Sequence, residues 1–99
     1  MTDLLGTIAA DAPPPGLSEA KQALWWLAKG NYLTGPEWER AHEICQAHEG
    51  ERDHDLIHAL THLIEGDTWN SDYWYRRAGV ARTSSDPASE WAAVVETVA

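Results

Sequence analysis

Apolar residues recur at helical spacing in five segments of the chain, and no segment alternates apolar and polar residues as a strand does. Ser18 is placed to cap the first predicted helix, and Gly30 ends it. The second predicted helix opens at Thr34, with Pro36 in its first turn and Glu37 positioned for a capping box. The pattern therefore predicts an all-α protein.

Three more helices are delimited by the same kinds of residue. The third ends at Gly66 and buries an arc formed by Leu56, Ile57, Leu60, Leu63 and Ile64. The fourth is predicted to be capped by Asn70 and to end near Gly79. The fifth begins after Asp86 and places on one face Trp91, Val94, Val95 and Val98.

The first four helices repeat after 36 residues, an offset that aligns Leu24 with Leu60, Gly30 with Gly66, and Trp38 with Trp74. A period of this size is typical of helical-hairpin repeats, of which the tetratricopeptide unit has about 34 residues. The second copy resembles the Sel-like relative of that family in its Trp-Tyr pair followed by basic residues and Ala, at 74–78. The resemblance implies two antiparallel helical hairpins, and we expect the fifth helix to cap them.

Three further segments together resemble a family of small uncharacterised bacterial proteins. They are Trp-x-x-Ala-His at 38–42, His-x-x-x-His running into Glu-Gly-Asp at 58–67, and Tyr-Trp-Tyr-Arg-Arg-Ala-Gly at 73–79. The resemblance implies a helical fold. It transfers no activity, because that family has none assigned.

The length of 99 residues suits one domain, which we predict to span 17–99 after an N-terminal arm and Pro-rich linker at 1–16. No apolar run is long enough to span a bilayer, and no positive charge precedes the short apolar patch near the N-terminus. The single cysteine, Cys45, fits a reducing compartment. We therefore expect a cytoplasmic protein that is not inserted in a membrane.

The formal net charge of −9 argues against nucleic acid and anionic lipid as partners, because both bind mainly through clustered Lys and Arg. Arg76 and Arg77 nevertheless lie side by side and offer a local contact for an anion or a carboxylate. The alternative is a solvated helix face on which these arginines pair with nearby acids.

His58 and His62 are one helical turn apart and are predicted to lie opposite the apolar arc of the third helix, away from the core. Three interpretations follow for this pair. It is a solvated surface pair, or it lines a groove with Trp26 that binds a peptide or small ligand. Alternatively it binds a metal ion such as zinc, together with Glu65 or with His42 on the neighbouring helix.

Enzyme motifs are missing from the sequence. Residue 59 is Ala, whereas the metalloprotease motif requires Glu directly after its first His, and the chain has no Gly-rich phosphate loop or Gly-x-Ser-x-Gly elbow. We therefore predict a non-enzymatic protein-interaction module without a cofactor. Its partner would be a protein, a peptide or its own copy, bound through the groove or through Trp69, Arg76 and Arg77. The alternative function is metal or small-ligand binding at the His58 and His62 face.

Overall fold

The computed structural model describes residues 4–99, and within them all regular secondary structure is helical. A 3-10 turn at Leu5–Thr7 precedes five α-helices: α1 (Glu19–Lys29), α2 (Pro36–Ala47), α3 (Arg52–Glu65), α4 (Thr68–Ala78) and α5 (Pro87–Thr97). The all-α prediction is confirmed. Over residues 4–99, no helix has the length and apolar character needed to cross a membrane.

The predicted ends of three helices are confirmed by their capping contacts. Ser18 accepts a hydrogen bond from the backbone N–H of Lys21, and Asp86 accepts one from that of Ser89. Gly66 ends α3 in the left-handed region, with a φ of 84°, where a side chain would be strained.

The predicted starts of α2 and α4 are wrong. Gly35, and not Thr34, precedes the first residue of α2, and its φ of 152° lies in a region that favours glycine. Asp67, and not Asn70, caps α4, because its carboxylate accepts from both the backbone N–H and the side-chain amide of Asn70. Asn70 is thus a donor in the first turn of the helix.

Helix α3 lies at the centre of the fold and packs against the other four helices. Its eight consecutive residues from His54 to Thr61 are all buried. Two different surfaces cover it, because the apolar arc meets the main core while the polar side faces aromatic residues of α2 and α4. Helix α3 therefore has no solvent side over these two turns.

Side chains from three other helices fix their positions by donating hydrogen bonds to backbone carbonyls. The indole of Trp38 in α2 donates to the carbonyl of Thr61 at 2.8 Å, and the hydroxyl of Ser71 in α4 donates to that of Ala59 at 2.9 Å. The indole of Trp91 in α5 donates to the carbonyl of Leu24 in α1 at 2.8 Å. Each bond gives a buried polar group its partner and sets the register between two helices.

The segment before α1 packs on the domain. Leu4 is buried in the core, and the indole of Trp25 donates to the hydroxyl of Thr7 at 3.0 Å. The boundary at residue 16 stays a prediction, and residues 1–3 of the predicted arm lie outside the described residues.

Glu90 in α5 is a buried acid that the sequence analysis did not single out. The residue is 2% exposed, and its carboxylate accepts four hydrogen bonds. One comes from the hydroxyl of Tyr75, at 2.6 Å, and three come from Thr83 and Ser84 in the connection between α4 and α5. Burial, and then the hydrogen bond to Glu90, raises the pKa of Tyr75, so the phenol stays a donor. Hydrogen bonds to this carboxylate therefore hold α5 against α4 and against the segment that connects α4 to α5.

We expect Glu90→Ala to lower the free energy of unfolding by more than about 3 kcal/mol, because it leaves several donors without an acceptor. Tyr75→Phe removes only one donor and should cost about 1–2 kcal/mol. Urea denaturation measures both, with Glu96→Ala on the exposed side of the same helix as a control expected to change stability by less than about 0.5 kcal/mol. A Glu90→Ala loss no larger than that of Tyr75→Phe would contradict this role for the carboxylate.

Candidate functional site

Three histidines converge between α2 and α3, and we call them the three-histidine cluster: His42, His58 and His62. The Nε2 atoms of His42 and His58 are 3.1 Å apart. One ligating atom from each residue lies within 4.8 Å of the others. His58 and His62 are stacked one turn apart on α3, and His42 meets both of them edge-on from α2.

Two tryptophans enclose the cluster. The ring of Trp38 stacks on His42 at 4.8 Å, and that of Trp74 stacks on His58 at 4.1 Å. His58 is only 3% exposed, so the prediction that it points away from the core is wrong. The amphipathic pattern of α3 alone places the polar side of this helix in solvent. In the folded chain, α2 and α4 cover that side.

Burial favours the neutral forms of His58 and His42. It lowers the pKa of His58 to about 3, with smaller contributions from His42 and His62, and it lowers the pKa of His42 as well. A neutral imidazole has one nitrogen with a free lone pair, which is the form that binds a metal ion. The Nδ1 atom of His58 is buried and has no hydrogen-bond partner within residues 4–99.

Glu65 orients His62 from the next turn of α3. Its carboxylate oxygen lies 2.5 Å from Nδ1 of His62, which leaves Nε2 of the same ring free. The prediction of Glu65 as a metal ligand stays a prediction, since its carboxylate also lies within reach of His62 and Asp67 as a ligand group. The contact with Nδ1 also resembles the arrangement in which a carboxylate fixes the orientation and tautomer of a metal-bound histidine. Asp67 also lies near His62, yet its carboxylate caps α4.

The other predicted binding residues lie apart from the cluster. Trp26 is half-buried, and its ring contacts are with Trp25 and with the guanidinium of Arg40, at 4.9 Å. Trp69 is 73% exposed in the first turn of α4. Arg77 lies over the ring of Trp74 at 5.2 Å, and the exposed Arg76 lines a shallow surface cavity of about 430 Å³.

A second group of histidines, not predicted from the sequence, lies where α2 ends and α3 begins. His48 and His54 stack at 4.4 Å beside a cavity of about 550 Å³. One feature of the sequence could have indicated this group: His48 and Glu51 are three residues apart, as are His62 and Glu65. Cys45, by contrast, is fully buried, and burial raises the pKa of its thiol, so the residue is not an activated nucleophile.

Comparison with known proteins adds no precedent for this arrangement. A scan against protein-family models and searches of the curated proteins and of the solved structures found no match to this chain.

Proposed function

We propose that the protein binds a divalent transition-metal ion, with zinc as the reference ion, through His42, His58 and His62. The distance of 3.1 Å between the Nε2 atoms of His42 and His58 carries the proposal. Two nitrogens bound to one tetrahedral zinc at about 2.0–2.1 Å lie about 3.3–3.4 Å apart. A shift of a few tenths of an ångström therefore turns the contact between these rings into two coordination bonds.

The surroundings of the cluster support the proposal. The stacked rings of Trp38 and Trp74 restrict the motion of His42 and His58, so little side-chain entropy is lost when an ion binds. Glu65 directs the free nitrogen of His62 toward the site. His42 is half-buried and the side chain of His62 is 11% exposed, so an ion reaches the cluster from solvent. A fourth position remains for water or a small anion.

The proposal extends to the architecture and setting of the domain. We propose that α1 with α2 and α3 with α4 are the two tetratricopeptide-like or Sel-like hairpins predicted from the 36-residue offset, with α5 as their cap. Both pairs are in contact, and α5 packs on α1 and α3. Trp38 and Trp74, equivalent by that offset, each stack on a histidine of the cluster. The buried free thiol of Cys45 fits the reducing cytoplasm.

Tag-free protein loaded with Zn²⁺ and dialysed should retain zinc at the three-histidine cluster and should melt at a higher temperature. With free zinc at 100 times its dissociation constant, stabilisation of about 2.7 kcal/mol raises the Tm of a domain of this size by roughly 10–20 °C. A chelator should reverse the shift. Differential scanning calorimetry and elemental analysis of the same sample measure both effects.

Substitutions of the proposed ligands test whether this zinc is bound at the three-histidine cluster. His42→Gln and His62→Gln should each bind one zinc ion fewer than the wild type, because an amide is a poor ligand for zinc. Glu39→Gln, on the exposed side of α2, is the matched control and should bind as the wild type does. Equal zinc content in all four proteins would overturn the proposal.

Glu65→Gln should weaken zinc binding at the cluster about 10–100-fold and leave its stoichiometry unchanged, because the amide no longer holds Nδ1 of His62 as a carboxylate does. Competition with a chromophoric chelator measures the affinity, with His62→Gln, which should lack the zinc of this cluster, as the reference. Unchanged affinity would show that Glu65 plays no part in binding.

A second candidate function is protein interaction, and the surface of α4 favours it. Trp69 stacks parallel to Tyr73 with a ring separation of 6.2 Å, and Arg77 donates a hydrogen bond to the Tyr73 hydroxyl. The three residues form an exposed strip at a spacing of four residues along the helix. Aromatic residues and arginine are enriched where proteins meet, and an indole as exposed as that of Trp69 gains by being covered.

If a second copy of the chain covers the strip, the wild type should sediment as a dimer and Trp69→Ala as a monomer. Analytical ultracentrifugation at several concentrations distinguishes the two states. Leu33→Ala, which removes another exposed apolar side chain outside the strip, is the control and should remain dimeric. A monomeric wild type would contradict self-association through this surface.

A further inference from the structure

A cavity of about 550 Å³ opens where three helices meet, and its chemistry is separate from that of the three-histidine cluster. Glu19 comes from the first turn of α1, His48 follows the end of α2, and His54 lies in the first turn of α3. One ligating atom from each of these three lies within 4.8 Å of the others. The carboxylates of Glu51 and Asp53 also line the cavity.

His54 is the unusual member of this group. The residue is 7% exposed, and neither ring nitrogen has a hydrogen-bond partner within residues 4–99. The nearest carboxylate oxygen, from Glu51, is 3.6 Å from Nδ1, which is too far for a hydrogen bond. A buried nitrogen without a partner is costly and rare in folded proteins, so this ring at the cavity wall requires an explanation.

His48 lies between two carboxylates. Its Nδ1 is 2.9 Å from an oxygen of Glu51, and its Nε2 contacts an oxygen of Glu19. The contact with Glu51 repeats, at the same spacing of three residues, the contact between Glu65 and Nδ1 of His62. In both places a carboxylate one turn later holds Nδ1 and leaves Nε2 to face the other members of its cluster.

We propose that Glu19, His48 and His54 form a second binding site for a divalent transition-metal ion. Two imidazoles and one carboxylate are a ligand set that zinc accepts, with the remaining position open to the cavity. An ion there gives a buried nitrogen of His54 a partner, and the negative charge of Glu51 and Asp53 attracts the ion to the cavity. The site shares no residue with the three-histidine cluster, so it stands independently of the function proposed above.

The proposed ligands also come from helices that the three-histidine cluster does not connect. An ion bound to Glu19, His48 and His54 links the start of α1 to the end of α2 and the start of α3, whereas the three-histidine cluster links only α2 and α3. Glu19 and His48 lie at the rim, with side chains 57% and 31% exposed, so each is open to substitution without disturbing the core.

The test is equilibrium dialysis of the full, tag-free chain against Zn²⁺, with bound zinc counted per chain. The wild type should bind two ions, and Glu19→Gln and His48→Gln should each bind one. Glu96→Gln, an exposed acid on α5, is the matched control and should bind two. His42→Gln should also bind one, and combining it with His48→Gln should leave none.

The outcomes separate the two sites. A single ion that is lost in His42→Gln and kept in both Glu19→Gln and His48→Gln would overturn the second site and leave the three-histidine cluster standing. A single ion that is lost in Glu19→Gln and His48→Gln but kept in His42→Gln would support the second site and overturn the first. No bound zinc in the folded wild type would overturn both.

Discussion

Each of the eight residues of α3 from His54 to Thr61 is buried, and the packing of the other four helices depends on covering this segment. An amphipathic helix exposes its polar residues to water. A helix that is covered on every side buries them, so they need hydrogen-bond partners inside the protein. Two of them find local partners, since Thr61 donates to the carbonyl of His58 and Asp55 accepts from the backbone N–H of Gly50. The buried histidines do not, and their partners come from other helices or are missing.

Imidazole suits this position because its faces are apolar enough to stack while its edge carries the polar atoms. On α3 the ring of His58 stacks on Trp74, and its Nε2 meets that of His42. The ring of His54 stacks on His48, but its nitrogens stay without hydrogen bonds. The same helix thus buries one imidazole with a partner for only one of its nitrogens and another with a partner for neither. Both rings lie close to further side chains suited to bind a metal ion.

Local features of the sequence were enough to predict the five helices and several of their ends. Ser18, Asp86 and Gly66 act within one turn of chain, so no distant residue alters their roles. The orientation of His58 was mispredicted because it depends on Trp38 and Trp74, which reach α3 only in the folded chain. Glu90 and His54 escaped notice for the same reason: an isolated acid or histidine on a helix carries no sign of burial until its neighbours are known.

The hydrogen bond from the Trp91 indole to the Leu24 carbonyl bears on how the chain folds. It joins residues 67 positions apart, whereas α1 packs on α2, and α3 on α4, across short connections. Contacts between near neighbours lose less chain entropy on forming and are made sooner. We therefore expect the two helical pairs to associate first and α5 to dock last, so that α1 and α3 keep an uncovered apolar surface until the final step. During synthesis on the ribosome, that surface stays open to other chains until α5 emerges.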